Sequence, residues 1–301
     1  MGRLHGHHLA MSEPLFNVGR RSWIAGAVAC LLASCRPIKM LNAVIPTDGM
    51  QITRNIAFGP HPRQRLDIYQ PRQPGASPLP VVVFFYGGSW DSGAKQDYLF
   101  VAEALTSQGL IVVIADYRLY PELKFPQLMQ DPALVVGWAK QHIADYQGAP
   151  TRLFLMGHSA GAHLAMMLSL NAEYLSAVGL ETSAIRGSIG LAGPYDFLPL
   201  TSDRLRAIFA PPEQEWMSQP IRFVSGQQPP LLLMTGLKDR DVWPRNAINL
   251  AQAVQAKGGD VVLKTYPDYD HADLVAKLAR PFRRHSPLLT EIMTWMHHHG
   301  A

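Results

Sequence analysis

Cysteine is almost absent from this sequence. Its 301 residues include only two, Cys30 and Cys35, and none follows Arg36. Neither a disulfide nor a metal site built on thiolates can therefore form in the body of the chain. A chain of this length with 48% apolar residues can bury roughly three quarters of its unfolded surface without such cross-links. We expect one large apolar core.

The sequence also has little net charge. Charged residues make up 17% of the chain, and the formal net charge is +4. Three arginines and one glutamate (Arg3, Arg20, Arg21 and Glu13) place +2 of this charge in the first 34 residues. Because no cluster of basic residues interleaved with aromatic ones follows, nucleic acid is not an expected partner.

One apolar run stands at the N-terminal end, over residues 23–34, directly after Arg20-Arg21 and Ser22. It fits the core of a signal peptide, about 7 to 15 residues, and falls short of the ~20 residues that span a bilayer. The run ends in Leu32-Ala33-Ser34-Cys35, which resembles a bacterial lipobox, in which the cysteine is acylated and begins the mature protein. We expect residues 1–35 to be an export signal and Cys35 to be a membrane anchor. An ordinary secretory signal that contains a cysteine is the alternative.

The paired arginines also resemble a twin-arginine export signal, with general secretion as the alternative. Residues 1–10 fit neither element, so Met11 is an alternative start to Met1. This interpretation predicts an exported bacterial protein, periplasmic or anchored as a lipoprotein. Residues 36–53 are then a linker to a folded domain over residues 54–301.

Short apolar runs alternate with longer amphipathic ones from residue 55 onward. The runs at 81–85 and 111–115 lack polar alternation, as strands covered on both faces do. The repeated order of strand and helix predicts an α/β fold, a mostly parallel central sheet wrapped by helices. We expect the two early strands to pair antiparallel at one edge. The predicted strands are 64–69, 81–85, 110–115, 152–156, 188–191, 231–235 and 261–266, and the predicted helices are 98–107, 126–146, 160–170, 244–257 and 288–298.

One long irregular stretch interrupts this alternation at residues 193–230. It is rich in proline, glutamine and serine, with short helices predicted near 202–209 and 212–217. Long loops within compact domains are often functional. We expect this insertion to form a short cap over an edge of the sheet.

A serine lies between glycines in Gly157-His158-Ser159-Ala160-Gly161, after a predicted strand and before a predicted helix. The glycines permit a tight turn that holds the serine hydroxyl outward, and the N-terminus of the helix favours developing negative charge. This pattern is typical of a nucleophile elbow, and it makes Ser159 the candidate nucleophile. The motif is short, so the strand, the helix and the partner residues carry the prediction.

A glycine pair follows the buried strand at 81–85, in Tyr86-Gly87-Gly88-Ser89-Trp90. Glycines let main-chain N–H groups approach an oxyanion closely. We predict that the amide of Gly87 or Gly88 forms an oxyanion hole with the amide of Ala160. A tight turn without a catalytic role is the alternative.

A catalytic base and its acidic partner are expected at the ends of later strands. His271 directly follows Asp270, just past the predicted strand 261–266, and is the best placed of the histidines. The loop after strand 231–235 supplies two acids, Asp239 and Asp241. We prefer Asp239, which comes three residues after Gly236, and keep Asp241 as the alternative.

The order Ser159, Asp239, His271 is the order used by α/β-hydrolases. Residues 86–271 resemble that superfamily, specifically the carboxylesterases like hormone-sensitive lipase and those like kynurenine formamidase. The segment 116–122 adds to the resemblance, which implies a structural role for this segment and no catalytic residue in it. Tyr86 departs from the usual histidine, and His158 departs from the aspartate of many hormone-sensitive-lipase relatives, which favours the formamidase-like and feruloyl-esterase-like branches.

The resemblance implies a serine carboxylesterase with no metal and no organic cofactor. The expected substrates are small soluble esters with short acyl or aromatic groups, since the cap is short. Two alternatives remain: an aryl-formamide or other amide substrate for the same triad, and a surface lipoprotein that binds without catalysis. Four aromatic residues flank the motifs and are candidates for lining a pocket: Trp90, Phe197, Trp216 and Trp243.

Overall fold

A single mixed sheet of eight strands organises the computed structural model, which describes residues 41–42, 44–209 and 211–301. The strands lie in the order β1-β2-β4-β3-β5-β6-β7-β8. Strands β3 to β8 are parallel, and β2 runs antiparallel to both β1 and β4. The strands are β1 (Met50–Ala57), β2 (Arg65–Pro71), β3 (Leu79–Phe85), β4 (Ile111–Ala115), β5 (Gly148–His158), β6 (Gly187–Leu191), β7 (Leu231–Gly236) and β8 (Val261–Tyr266).

Helices connect the parallel strands. The α-helices of the described residues are α1 (Leu99–Thr106), α2 (Gln130–His142), α3 (Ala160–Leu170), α4 (Ala172–Ser176), α5 (Asp203–Phe209), α6 (Arg245–Ala256), α7 (Asp273–Ala276), α8 (Arg280–Arg283) and α9 (Leu288–His298). Short 3₁₀ helices occur at Lys95–Tyr98, Gln127–Met129, Ile143–Tyr146, Thr182–Ala184, Pro212–Ser218 and Pro220–Phe223. Among the described residues, no helix is both long enough and apolar enough to cross a membrane.

The apolar runs that predicted buried strands form the centre of the sheet. Every residue of β4 is buried, and in β3 every residue from Pro80 to Phe85 is buried. Because successive side chains of a strand point to opposite faces, such strands must be covered by helices on both sides. The predicted fold class, an α/β sheet wrapped by helices, is confirmed.

Two predictions about the early strands are wrong. Strand β1 begins inside the predicted linker 36–53, because Met50 to Thr53 already pair with β2. In β1 only Met50 is fully buried, while Ile52 and Ile56 are half-buried against the core. The polar residues between them leave an apolar pattern too weak to predict a strand. Strand β2 pairs with β1 and β4 rather than with β3, since both edges of β3 are already occupied by β4 and β5.

The insertion at 193–230 contains α5 and two of the 3₁₀ helices, close to the short helices predicted there. It connects β6 to β7, and Phe209 in α5 is buried against Trp90, which follows β3. The insertion therefore packs where the parallel strands end. Residues 1–40, with the expected signal and Cys35, lie outside the described residues, so the export signal and the lipid anchor stay predictions.

Candidate active site

The turn after β5 has the geometry of a nucleophile elbow. Ser159 adopts φ 56° and ψ −123°, a strained conformation that a residue with a Cβ adopts rarely. Its amide donates to the carbonyl of Leu191 at 2.9 Å, and its carbonyl accepts from His163 at 3.1 Å. A Cβ on Gly161 would lie 2.0 Å from the carbonyl oxygen of Phe85. Glycine at this position lets α3 approach the end of β3.

The side chains of Ser159, His271 and Asp239 form one hydrogen-bonded chain. Ser159 Oγ lies 2.9 Å from His271 Nε2, and His271 Nδ1 lies 2.8 Å from Asp239 Oδ2. The Asp239 side chain is fully buried, whereas that of His271 is 18% exposed. An ionised carboxylate only accepts hydrogen bonds, so Nδ1 carries the ring proton and Nε2 accepts from the serine hydroxyl. Such a chain can remove the hydroxyl proton as Ser159 attacks a carbonyl carbon.

Asp239 is oriented by main-chain groups of its own loop. The amides of Asp241 and Val242 donate to Asp239 Oδ1 at 2.9 and 2.8 Å, which leaves Oδ2 for His271. Asp241 is exposed, although one of its carboxylate oxygens lies within 4.8 Å of ligand atoms of Asp239 and His271. Both ring nitrogens of His271 are already engaged, so a metal ion bound by this trio would have to displace the contact to Asp239 or to Ser159.

The glycine pair after β3 lies against the nucleophile, but its two amides differ. A Cβ on Gly87 would lie 3.0 Å from Ser159 Cβ. The Gly87 amide donates to the hydroxyl of Tyr98 at 3.2 Å, so it already has an acceptor. The amides of Gly88 and Ala160 have no acceptor among the described residues and are the better candidates for an oxyanion hole. Tyr98 lies in a separate element, which is why the sequence did not distinguish Gly87 from Gly88.

Tyr86 braces the start of this loop, at the position where the predicted resemblance implies histidine. Its hydroxyl donates to Asp116 Oδ1 at 3.0 Å and accepts from Arg63 at 2.9 Å. Arg63 also donates to the carbonyls of Tyr117 and Gly93. Burial, aided by the Asp116 carboxylate, raises the pKa of Tyr86 well above its usual value, so the phenol keeps its proton. Asp116 thus holds a loop in place, as expected for the segment 116–122.

His158 contacts the base from the other side, a role that the sequence did not predict. Its Nε2 donates to the main-chain carbonyl of His271 at 3.1 Å, and the two rings lie 4.9 Å apart. Burial lowers the pKa of His158 to about 3, with the neighbouring His271 acting in the same direction. The ring is therefore neutral and fixes the main chain of His271. Its position directly before Ser159 was the available signal.

The four aromatic candidates for a pocket fall into two pairs. Trp90 is buried and its ring stacks on that of Phe197 at 6.1 Å, so these two belong to an aromatic cluster between the loop after β3 and the cap. Trp216 and Trp243 are exposed by 49% and 58%. Trp216 stacks on Phe223 at 6.3 Å. A lining role in a substrate pocket stays a prediction for all four.

A serine on an elbow after the central strand of this mixed sheet, with a histidine and an acid after later strands, defines an α/β-hydrolase. The chain belongs to the BD-FAE family, whose model matches residues 66–254, more than half of the chain. The predicted resemblance is confirmed at this level.

The chain is also similar to individual proteins, two by sequence and one by structure. A probable isoprenylcysteine alpha-carbonyl methylesterase of Arabidopsis thaliana is 29% identical over 246 residues, 74% of this chain and 51% of that protein. The chain thus spans about half the length of that relative. Kynurenine formamidase of Salmo salar is 26% identical over 251 residues, 81% of this chain and 82% of that protein. A crystal structure of inhibited esterase B from Lactobacillus rhamnosis has the same fold, with a TM-score of 0.77 at 19% identity over 92% of this chain and 96% of that one.

Proposed function

We propose that this protein hydrolyses small soluble carboxylic esters, with short acyl or aromatic groups, through an acyl-enzyme on Ser159. The observation that carries the proposal is the unbroken hydrogen-bonded chain from Asp239 through His271 to Ser159. Membership of the BD-FAE family and the similarity to proteins named as esterases support it. The short cap, whose described residues form α5 and two 3₁₀ helices, favours small substrates over triacylglycerols.

The reaction proceeds in two half-reactions. Ser159 Oγ attacks the ester carbonyl carbon while its proton passes to His271 Nε2. The amides of Gly88 and Ala160 donate to the resulting oxyanion. His271 then returns the proton to the departing alcohol, and an acyl-serine ester remains. In the second half-reaction water attacks the acyl carbon while His271 Nε2 takes its proton. His271 then returns the proton to Ser159 Oγ as the carboxylic acid leaves. Throughout, Asp239 stabilises the imidazolium and keeps its Nδ1 proton directed away from the substrate.

The test is turnover of p-nitrophenyl acetate, butyrate and palmitate by the purified protein and by two serine variants. Ser159→Ala should lose ~10⁴-fold or more in kcat, because the nucleophile is gone. The exposed serine variant Ser183→Ala should match the wild type. A serine-directed phosphonate should add its phosphonyl group to the peptide that contains Ser159. Equal turnover by Ser159→Ala would refute the nucleophile, and a preference for palmitate would refute the substrate class.

An aryl-formamide is the second candidate substrate. It is favoured by the similarity to kynurenine formamidase, which this chain matches over 82% of that protein's length. The same serine, histidine and acid can cleave an N-formyl amide, with His271 protonating the departing amine. Parallel kcat/KM values for N-formylkynurenine and phenyl acetate decide between the two, and a higher value for the formamide would replace the ester proposal.

We propose further that the protein is exported and held at a membrane by acylated Cys35. The apolar run 23–34 and the Leu32-Ala33-Ser34-Cys35 sequence support this. Mass spectrometry of the native N-terminus should find a mature chain that begins at a lipid-modified Cys35. A mature chain that still contains Trp23 would refute both cleavage and anchorage.

A further inference from the structure

Two consecutive residues of the loop after β3 have left-handed backbone conformations although neither is glycine. Ser89 has φ 50° and Trp90 has φ 63°. Residues with a Cβ avoid this region, and they persist there only where surrounding contacts hold them. The candidate oxyanion amide of Gly88 directly precedes this pair. Contacts of the Trp90 side chain can therefore hold the Gly88 amide in position.

The Trp90 side chain is held by a buried histidine, His163. The indole N–H of Trp90 donates to His163 Nδ1 at 3.2 Å, and His163 Nε2 donates to the main-chain carbonyl of Ser218 at 2.7 Å. An indole nitrogen can only donate and a carbonyl can only accept, so both contacts require a neutral ring with its proton on Nε2. Burial lowers the pKa of His163 to about 4, in agreement with this protonation state.

His163 lies where three parts of the candidate site meet. It is one turn after Ser159 on α3, and its amide donates to the carbonyl of Ser159 at 3.1 Å. Ser218 belongs to the insertion 193–230, and the rings of Phe197 and Phe209 from the same insertion lie 5.8 Å from the imidazole. His163 thus belongs to α3, and its ring contacts both the loop at residues 86–93, here called the oxyanion loop, and the cap.

We propose that His163 is a positioning residue that couples the cap to the oxyanion loop. Through its two ring hydrogen bonds, the cap at Ser218 holds the imidazole, and the imidazole holds Trp90 and with it the amide of Gly88. The effect on turnover rests on the proposed function, whereas the coupling between the two segments does not. Displacement of the cap would therefore impair the oxyanion hole. The effect would travel from Ser218 through His163 and Trp90, without a direct contact to Ser159 or His271.

Two substitutions break the two hydrogen bonds separately. Trp90→Phe keeps an aromatic ring but removes the indole donor. His163→Asn places an amide oxygen near the position of Nδ1, so it can still accept from Trp90, but it is too short to reach Ser218. Phe125→Leu is the matched control, because Phe125 packs 6.4 Å from the His163 ring and lies outside the hydrogen-bonded path. Far-ultraviolet circular dichroism shows which variants are folded.

The kinetic readout separates positioning from a merely structural role. Removal of a whole oxyanion donor costs about 10²- to 10³-fold in kcat, so a misaligned donor should cost on the order of tenfold. We expect both Trp90→Phe and His163→Asn to lose about tenfold in kcat with KM nearly unchanged. Affinity for a trifluoromethyl ketone, whose hemiketal oxygen occupies the oxyanion hole, should fall by the same factor. Phe125→Leu should lower Tm and leave kcat within about twofold of the wild type.

Hydrogen exchange measured by mass spectrometry tests the coupling without any turnover. Each of the two variants should accelerate exchange both in residues 86–93 and in residues 212–224. If Trp90→Phe affects only the first segment and His163→Asn only the second, the coupling is refuted. Wild-type kcat in both folded variants would refute the role in the oxyanion hole. If the wild type cleaves neither esters nor formamides, the proposed function fails, while the exchange result still decides the coupling.

Discussion

The residue before the candidate nucleophile holds the candidate base: His158 Nε2 donates to the main-chain carbonyl of His271 at 3.1 Å. The elbow and the histidine loop are 113 residues apart in sequence, yet this bond joins them directly. It fixes the main chain of His271, while Asp239 fixes its side chain. The orientation of the imidazole toward Ser159 therefore depends on two contacts from different parts of the chain.

Loss of this bond should lower activity, and a side chain that restores the donor should recover it. His158→Leu removes the donor and leaves the His271 carbonyl without a hydrogen bond. The lost bond stabilises this arrangement by about 1 kcal/mol or more. We expect kcat/KM for p-nitrophenyl butyrate to fall roughly tenfold. His158→Gln can place an amide N–H near the same carbonyl and should retain most of the activity. Equal activities of the two variants would show that the hydrogen bond does not position the base.

Two buried histidines should make the fold sensitive to mild acid. Burial lowers the pKa from 6.5 to about 3 for His158 and to about 4 for His163. Below pH 6.5 the unfolded chain binds protons that the folded chain does not bind. Their contribution to stability is thus fully present above that pH and is lost as the pH falls toward the folded-state pKa. The free energy of unfolding should decrease by roughly 1 kcal/mol per pH unit for each histidine.

Urea unfolding at about pH 7 and about pH 5 measures this dependence. The difference between the two free energies of unfolding should be smaller in His163→Gln than in the wild type. His285→Gln is the control, because His285 is exposed, and it should keep the wild-type difference. An unchanged difference in His163→Gln would mean that His163 already carries a proton in the folded state.

The two candidate acids should differ strongly in effect. Asp239→Asn replaces an acceptor of the His271 Nδ1 proton by a neutral amide, so we expect a loss of ~10³- to 10⁴-fold in kcat. Asp241→Asn changes an exposed carboxylate whose main-chain amide, which is retained, makes the contact to Asp239. Its kcat should stay within about threefold of the wild type. A larger loss in Asp241→Asn than in Asp239→Asn would reverse the assignment.

Local patterns predicted the parts of the site that local geometry builds. Ser159 could be found because the elbow needs a strand, a helix and closely spaced glycines within a few residues. Helix α3 has the predicted bounds, since its sequence is mostly apolar and begins directly after the serine. The distant partners, Asp239 and His271, could be selected because each follows a buried strand of a parallel sheet, whose carboxyl ends meet at one edge.

Contacts between distant segments could not be predicted in the same way. Two hydrogen bonds depend on how loops fold onto each other: the one from Gly87 to Tyr98 and the one from His158 to His271. The apolar periodicity of a sequence does not predict such contacts. Strand β1 was missed for a different reason: only Met50 is fully buried, and the polar run Thr53-Arg54-Asn55 interrupts the apolar alternation of Met50, Ile52 and Ile56. Trp90 illustrates a third case, because a large aromatic residue beside a motif fits a substrate pocket and a packed cluster equally well.

The close approach at Gly161 gives a prediction about the backbone itself. A Cβ there would lie 2.0 Å from the carbonyl oxygen of Phe85 and 2.5 Å from that of Tyr86. Main-chain atoms cannot rotate away as a flexible side chain could, so Gly161→Ala must push α3 from the end of β3. That movement separates the amides of Ala160 and Gly88. We expect kcat/KM to fall about 10²-fold and the free energy of unfolding to fall by roughly 1–3 kcal/mol or more.

Gly75→Ala is the matched control for the added methyl group. No atom lies within 4 Å of the position its Cβ would take, and its φ is outside the left-handed region. Kinetics with p-nitrophenyl butyrate and urea unfolding should therefore give wild-type values for this variant. If Gly161→Ala also behaved like the wild type, α3 and the oxyanion loop could separate without loss, and the alignment of the Ala160 and Gly88 amides would not limit turnover. The inferred role of His163 would then lose its physical basis, because it acts through the same alignment.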